Sequence, residues 1–180
     1  MEKIIDVPED VDVSVVGRKI VVKGKKGMLE KDFEDPRFDN AVSLRAEGGR
    51  LTIKSDNEGR KMRAMIGTIR AHVENMVRGV QNGYKYTLKI VYTHFPMTVA
   101  VEKGEVHIKN FLGEKGARIA RIKGDVQVSV DKDVVIVTGL NIEDAGQTAA
   151  NIEKACHVTK RDRRIFQDGI YIEKKAAANR

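Results

Sequence analysis

This chain writes one pattern twice, and an internal repeat narrows the possible folds more than any other property it has. VDVSVVGRKIVVKGKKGML at 11–29 alternates apolar and other residues around Gly17-Arg18 and turns again between Gly24 and Gly27. MTVAVEKGEVHIKNFLGEK at 97–115 does the same, and an offset of 86 pairs Val13 with Val99, Val15 with Val101, Ile20 with Val106, Val22 with Ile108 and Gly27 with Gly113. Period-two alternation broken by turn residues is hairpin chemistry. Further on, SLRAEGGRLTIKSD at 43–56 and VQVSVDKDVVIVTG at 126–139 each read as a strand, a polar turn and a strand.

An amphipathic helix is expected after each. Met62, Met65, Ile66, Ile69, Val73, Met76 and Val77 fall on one helical face, entered through Ser55-x-x-Glu58, the spelling of a capping box. In the second copy Ala145, Ala149, Ile152 and Cys156 repeat the spacing, with Asn141 placed as an N-cap. Gly79 and Asn82-Gly83 end the first helix before YKYTLKIVY resumes as a long strand. The pattern therefore predicts an α+β fold of two tandem copies of a small unit, each a mostly antiparallel β-sheet with one α-helix packed on one face. The first copy is expected over 1–82 and the second over 83–175, with 176–180 a frayed tail.

Catalytic and metal chemistry find no foothold. His72, His94, His107 and His157 stand apart with no His or Cys at ligand spacing, and there is no Gly-x-Ser-x-Gly, no Walker loop and no GxGxxG. Each histidine reads as a surface or internally satisfied residue. Cys156 sits on an apolar stripe, which suits a small buried side chain and not a nucleophile. As the lone cysteine it excludes an internal disulfide and suggests a reducing compartment. No apolar run approaches a membrane span and MEKIIDVPED lacks a signal-peptide core, so an intracellular soluble protein is expected, without catalytic residues, cofactor, metal or small-molecule substrate.

Charge is better organised than chemistry. Lys plus Arg number 33 against 26 Asp plus Glu, a formal +7 that favours a polyanionic partner. Residues 157–180 alone carry seven Lys/Arg and three Asp/Glu. On the first helix Arg60, Arg63, Arg70 and Arg78 share an arc with Gly67; the plain reading is a solvated face, and the sharper one a secondary contact face. Around Gly113-Glu114-Lys115-Gly116, the cations Lys115, Arg118, Arg121 and Lys123 cluster in NFLGEKGARIARIKG. This turn resembles the GXXG loop of KH domains, where glycines let amides approach a nucleic-acid backbone. A KH loop joins two helices, however, whereas the run entering this one alternates like a strand, so a KH-like free RNA-binding regulator stands as the alternative.

GRKIVVKGKKG, HVENMVRGVQNGY, THFP, KNFLGEK and RRIFQDGIYI, taken in order, resemble the large-subunit ribosomal protein L-six family in its archaeal and eukaryotic branch. The most specific element is RxFxDGIY, formed by Arg164, Phe166, Asp168, Gly169, Ile170 and Tyr171. The resemblance implies two tandem α/β units in a structural protein of the cytoplasmic large ribosomal subunit. It implies binding of large-subunit ribosomal RNA mainly through the second unit, near the elongation-factor site and the sarcin-ricin region, with neighbouring ribosomal proteins and translation factors close by. Charge and placement then nominate Lys115, Arg118, Arg121, Lys123, Lys160, Arg161, Arg163, Arg164 and Lys174 as RNA contacts, and Gly113, Gly116, Phe166, Asp168, Gly169 and Tyr171 as the structural motif. KRDRRIFQDGIYIEKK is expected to form a turn or short helix and then a strand packed back onto the second unit, with its arginines held outward.

Overall fold

In the computed structural model, which describes residues 1–34, 42–57 and 59–176, the alternating segments are strands and every pairing between them is antiparallel. Contacts divide the chain into two units, Met1–Gly83 and Tyr84–Arg180. In the first, β1 (Glu2–Asp6) is followed by the meander β2 (Asp12–Val16), β3 (Lys19–Gly24) and β4 (Gly27–Asp32), and then by β5 (Ser43–Glu47) and β6 (Arg50–Lys54). Two-residue loops close the hairpins. Gly48 and Gly49 both take positive φ, 57° and 74°, as a type I′ turn demands.

The strands of this unit are shared between two three-stranded sheets, β2-β3-β4 and β1-β6-β5. Each sheet turns one face inward: Ile20 and Val22 from the meander and Leu51 and Ile53 from β6 are fully buried. The helix α1 (Arg60–Asn82) lays Met62, Ile66, Ile69, Val73, Met76 and Val77 against both, so its stripe is covered as the spacing requires. Its start differs from the sequence expectation. The helix begins at Arg60 behind Gly59, with no side-chain cap, while the Ser55 hydroxyl accepts the Asn57 N–H at 3.2 Å in a local turn. Ser55 is buried and committed to that turn, and Glu58 lies outside the described residues. The helix ends where Gly83, at φ 69°, donates its N–H to the Gly79 carbonyl at 2.8 Å.

The second unit repeats this plan with β7 (Tyr84–Val91), β8 (Thr98–Glu102), β9 (Glu105–Lys109), β10 (Arg118–Arg121), β11 (Gln127–Asp131), β12 (Val134–Gly139) and α2 (Ile142–Ala155). The Asn141 side chain caps α2 by accepting the Glu143 N–H at 3.0 Å, and Ala145, Thr148, Ala149 and Ile152 are buried beneath it. Two departures from the first unit matter. Where β3 turns directly into β4, the chain here makes a 3-10 turn at Phe111–Gly113 and a loop before β10. After α2, the C-terminal segment returns as β13 (Gly169–Lys174) along the outer edge of β7, giving the order β11-β12-β7-β13. The proposed tail reaches beyond the described residues at 177–180.

Candidate nucleic-acid interface

The basic C-terminal segment is a built platform. After α2, Val158 is buried; Asp162 then organises a tight turn, its carbonyl accepting the N–H groups of Ile165 at 3.1 Å and Phe166 at 2.9 Å and its carboxylate that of Arg164 at 2.9 Å. This turn leaves Lys160, Arg161, Arg163 and Arg164 exposed. Below it Phe166 packs between the Arg161 guanidinium, 4.7 Å from the ring centre, and the His94 ring at 5.0 Å. Asp168 is fully buried: one oxygen accepts the Thr93 N–H at 3.0 Å and lies 3.5 Å from His94 Nδ1, while Oδ2 has no hydrogen-bond partner.

Gly169 is closely packed, since a Cβ there would stand 3.0 Å from the Tyr171 ring and the ring would have to shift. The Tyr171 hydroxyl donates to the Gln167 carbonyl at 3.1 Å, closing the bend between platform and strand. Phe166, Asp168, Gly169 and Tyr171 thus hold the segment in place and leave the charge to their neighbours. His94 shares this role, which sequence reasoning missed: Asp168 lies 3.5 Å from it in space but far along the chain, and a lone histidine carries no pattern.

The second basic cluster separates on inspection. Lys115 is exposed, Arg121 leaves most of its side chain in water with Glu105 no nearer than 3.9 Å, and Lys123 hangs 3.4 Å from Asp144. Lys174 projects from β13 and is exposed. Arg118 is different, because its guanidinium is engaged within the protein. Its guanidinium bonds both Glu114 oxygens at 2.8 and 2.6 Å, donates through Nη1 to the carbonyls of Ala155 at 2.9 Å and His157 at 3.0 Å, and lies 4.3 Å over the Phe111 ring. The Ala155 carbonyl is an orphan of the α2 C-terminus and the His157 carbonyl lies just beyond it, so Arg118 is a bracket joining β10 to the base of the platform. The bond from Arg118 outweighs the opposing effect of burial and, with the charges of Arg118 and Arg161, holds the Glu114 carboxyl below the ordinary glutamate range.

The GXXG turn does not make a KH site. Gly113, at φ 77°, lies against the Phe95 ring and Gly116 faces open space; the chain passes from the 3-10 turn into strand β10, where a KH loop would enter a helix. In the first unit Arg60, Arg63 and Arg78 are exposed, but Arg70 bonds Glu74 at 2.7 Å within the same arc. Gly67 has no packing role, because a Cβ there would meet nothing within 4 Å. Burial pushes the Cys156 thiol up to about 12, the opposite of what a nucleophile needs. Among the described residues no three His, Cys, Asp or Glu side chains are grouped to hold a metal, and no helix is long and apolar enough to cross a membrane.

Comparison with known proteins agrees with the twofold plan. The family model described as Ribosomal protein L6 matches residues 7–83 and again 95–169. A protein of Methanocella arvoryzae is 48% identical over 173 residues, 96% of each chain. One of Staphylothermus marinus is 50% identical over 171 residues, covering 93% of this chain and 91% of its own, and one of Desulfurococcus amylolyticus is 46% identical over 176 residues, covering 97% and 94%. All three carry the name large ribosomal subunit protein uL6.

Proposed function

We infer the function from one premise: this chain belongs to the ribosomal protein L6 family. It is a structural constituent of the large ribosomal subunit, and its work is architectural, not enzymatic. Its place in the cell is the cytoplasm, on that subunit. Within it, the second unit binds large-subunit ribosomal RNA, and the family resemblance puts this contact near the elongation-factor site and the sarcin-ricin region, with ribosomal proteins beside it and translation factors within reach.

The observation that carries the RNA reading is the platform of residues 158–172, which anchors itself through Val158, Phe166, Asp168 and Ile170 and presents Lys160, Arg161, Arg163 and Arg164 outward. Preset cations neutralise phosphates without first being ordered. Arg serves best because its fork is permanently charged and matches phosphate oxygens. Lys115, Arg121, Lys123 and Lys174 extend the surface, while Arg118 supports it from beneath. The absence of Trp and the low aromatic content, 5%, argue for recognition of backbone and shape over base stacking.

The test is RNA binding across salt. With about four to six phosphates contacted, log affinity falls against log salt with a slope of about minus four to minus five. Replacing Arg161, Arg163 and Arg164 by Ala lowers affinity and flattens the slope by about two to three, with the melting temperature unchanged within a few degrees. Binding at moderate salt that ignores this triple substitution overturns the assignment.

A further inference from the structure

The two units differ at one sheet edge. In the second, β7 is flanked by β12 and by β13; in the first, β1 pairs with β6 alone, and its other edge carries no strand among the described residues. The ladders make the two strands counterparts. Glu47 faces Arg50 and Arg50 faces Asp6, just as Asp131 faces Val134 and Val134 faces Lys89. Ile5 therefore stands where Leu88 stands, and both are buried.

An uncovered edge is a row of N–H and C=O groups awaiting a partner. Beside this one a cavity of about 380 Å³ opens between β1 and α1, its apolar lining formed by Ile4, Ile5 and Val77 and its charged lining by Asp6, Glu74, Arg70 and Arg78. In the second unit the corresponding ground is held by β13: Ile170 is 1% exposed, and the Ile172 N–H donates to Glu153 on α2 at 3.1 Å. Aligning the buried stripes, Met62, Ile66, Ile69 and Val73 with Ala145, Ala149, Ile152 and Cys156, sets Arg70 in the place of Glu153. Where the second unit offers a carboxylate, the first offers a guanidinium, bonded to Glu74 at 2.7 Å, with the exposed Arg78 beside it.

We propose that this edge is the docking site for an extended segment of another protein, which adds beside β1 as a fourth strand. An apolar side chain of that segment enters the cavity, and an acidic one meets Arg78 and takes the place of Glu74 on Arg70. A polypeptide fits where RNA does not. It alone supplies a matching ladder of backbone donors and acceptors, and Ile4, 53% exposed on the edge strand, adds apolar surface for it to cover. Only the partner's identity as a neighbour on the particle rests on the ribosomal reading.

The test places the photo-crosslinking residue p-benzoylphenylalanine at Ile4 in the full chain and isolates large subunits that contain it. The expected product is a link to an extended, acid-bearing segment of one other ribosomal protein, with the yield reduced about fivefold or more by Arg70→Glu with Arg78→Glu. A link to ribosomal RNA, a link to a second copy of this chain, or no link in subunits that contain the chain overturns the proposal. If the chain does not enter large subunits, the ribosomal reading falls, and the edge is judged on the free full-length protein with the acetylated, amidated peptide EGIYIEE. Amide shifts confined to β1 and the facing turns of α1, and lost with the double Glu substitution, uphold the site; no shift at millimolar peptide, or shifts elsewhere, refute it.

Discussion

Replacing Arg118 by Ala separates a bracket from a ligand. The substitution removes two charged-donor bonds to the Ala155 and His157 carbonyls, a forked pair with Glu114 and a stack on Phe111. The two carbonyl bonds contribute about 1 kcal/mol each. The Glu114 pair, on a carboxylate 43% exposed, is screened by solvent and adds about 0.5 kcal/mol, and the stack about as much. Water replaces part of this, because His157 is exposed, leaving a loss of about 2–3 kcal/mol and a fall in Tm of about 10–20 °C for a unit of this size. Arg118→Lys recovers less than half, since an ammonium cannot span both carbonyls and the carboxylate.

The loss depends on pH with a definite sign. Glu114 is held below its ordinary range by Arg118, so the pair stabilises the fold fully at neutral pH and ceases to do so as pH falls through the lowered folded value. The Tm gap between the parent chain and Arg118→Ala therefore narrows in acid without closing, because the carbonyl bonds and the stack persist. Thermal melts at neutral and acid pH measure it. A neutral-pH Tm within about 3 °C of the parent, together with RNA affinity lowered about tenfold, would make Arg118 a phosphate ligand and refute the bracket.

Three further outcomes are accessible by simple measurements. Gly24→Ala places a Cβ 2.7 Å from Val80 Cγ2 and 3.0 Å from the Val80 carbonyl, both fixed in α1, and should cost about 2–3 kcal/mol in denaturant melts; a neutral result would show that the β3–α1 contact yields easily. Gly67→Ala fills open space on an exposed helix face and should stabilise the free protein by about 0.5–1 kcal/mol, and destabilisation would contradict the open surface seen there. Cys156, buried with its thiol pushed up to about 12, should react with a disulfide reagent at pH 8 roughly a hundredfold more slowly than a small thiol until denaturant is added; rapid labelling of the folded chain would place it at the surface.

The α+β plan, the helix stripes and the turn at Gly83 were legible because each is a local signal: period two in strands, 3.6 in helices, and glycine where φ turns positive. The twofold repeat made that reading firmer, since each copy checks the other. The motif glycines and aromatics near the C-terminus were legible as an anchored segment for the same reason, a turn spelled by Asp168-Gly169 next to apolar residues. Ser55-x-x-Glu58 misled because capping depends on where the backbone first turns helical, and that point lies at Gly59-Arg60.

Composition and periodicity thus determined what the pieces are and how many copies there are, and they favoured an anionic partner. Only the tertiary structure decided which cations are bonded within the protein and which lie exposed. Arg118 and Arg161 read alike in sequence, but one meets carbonyls from the end of α2 and the other covers Phe166 with its charge still in water. The division of each unit's strands into two sheets, the choice of β7 as the strand that β13 covers and, among the described residues, the unpaired edge of β1 were likewise invisible beforehand. Each depends on contacts between residues far apart along the chain, and periodicity reports on neighbours in sequence while such contacts are set by the packing of whole elements.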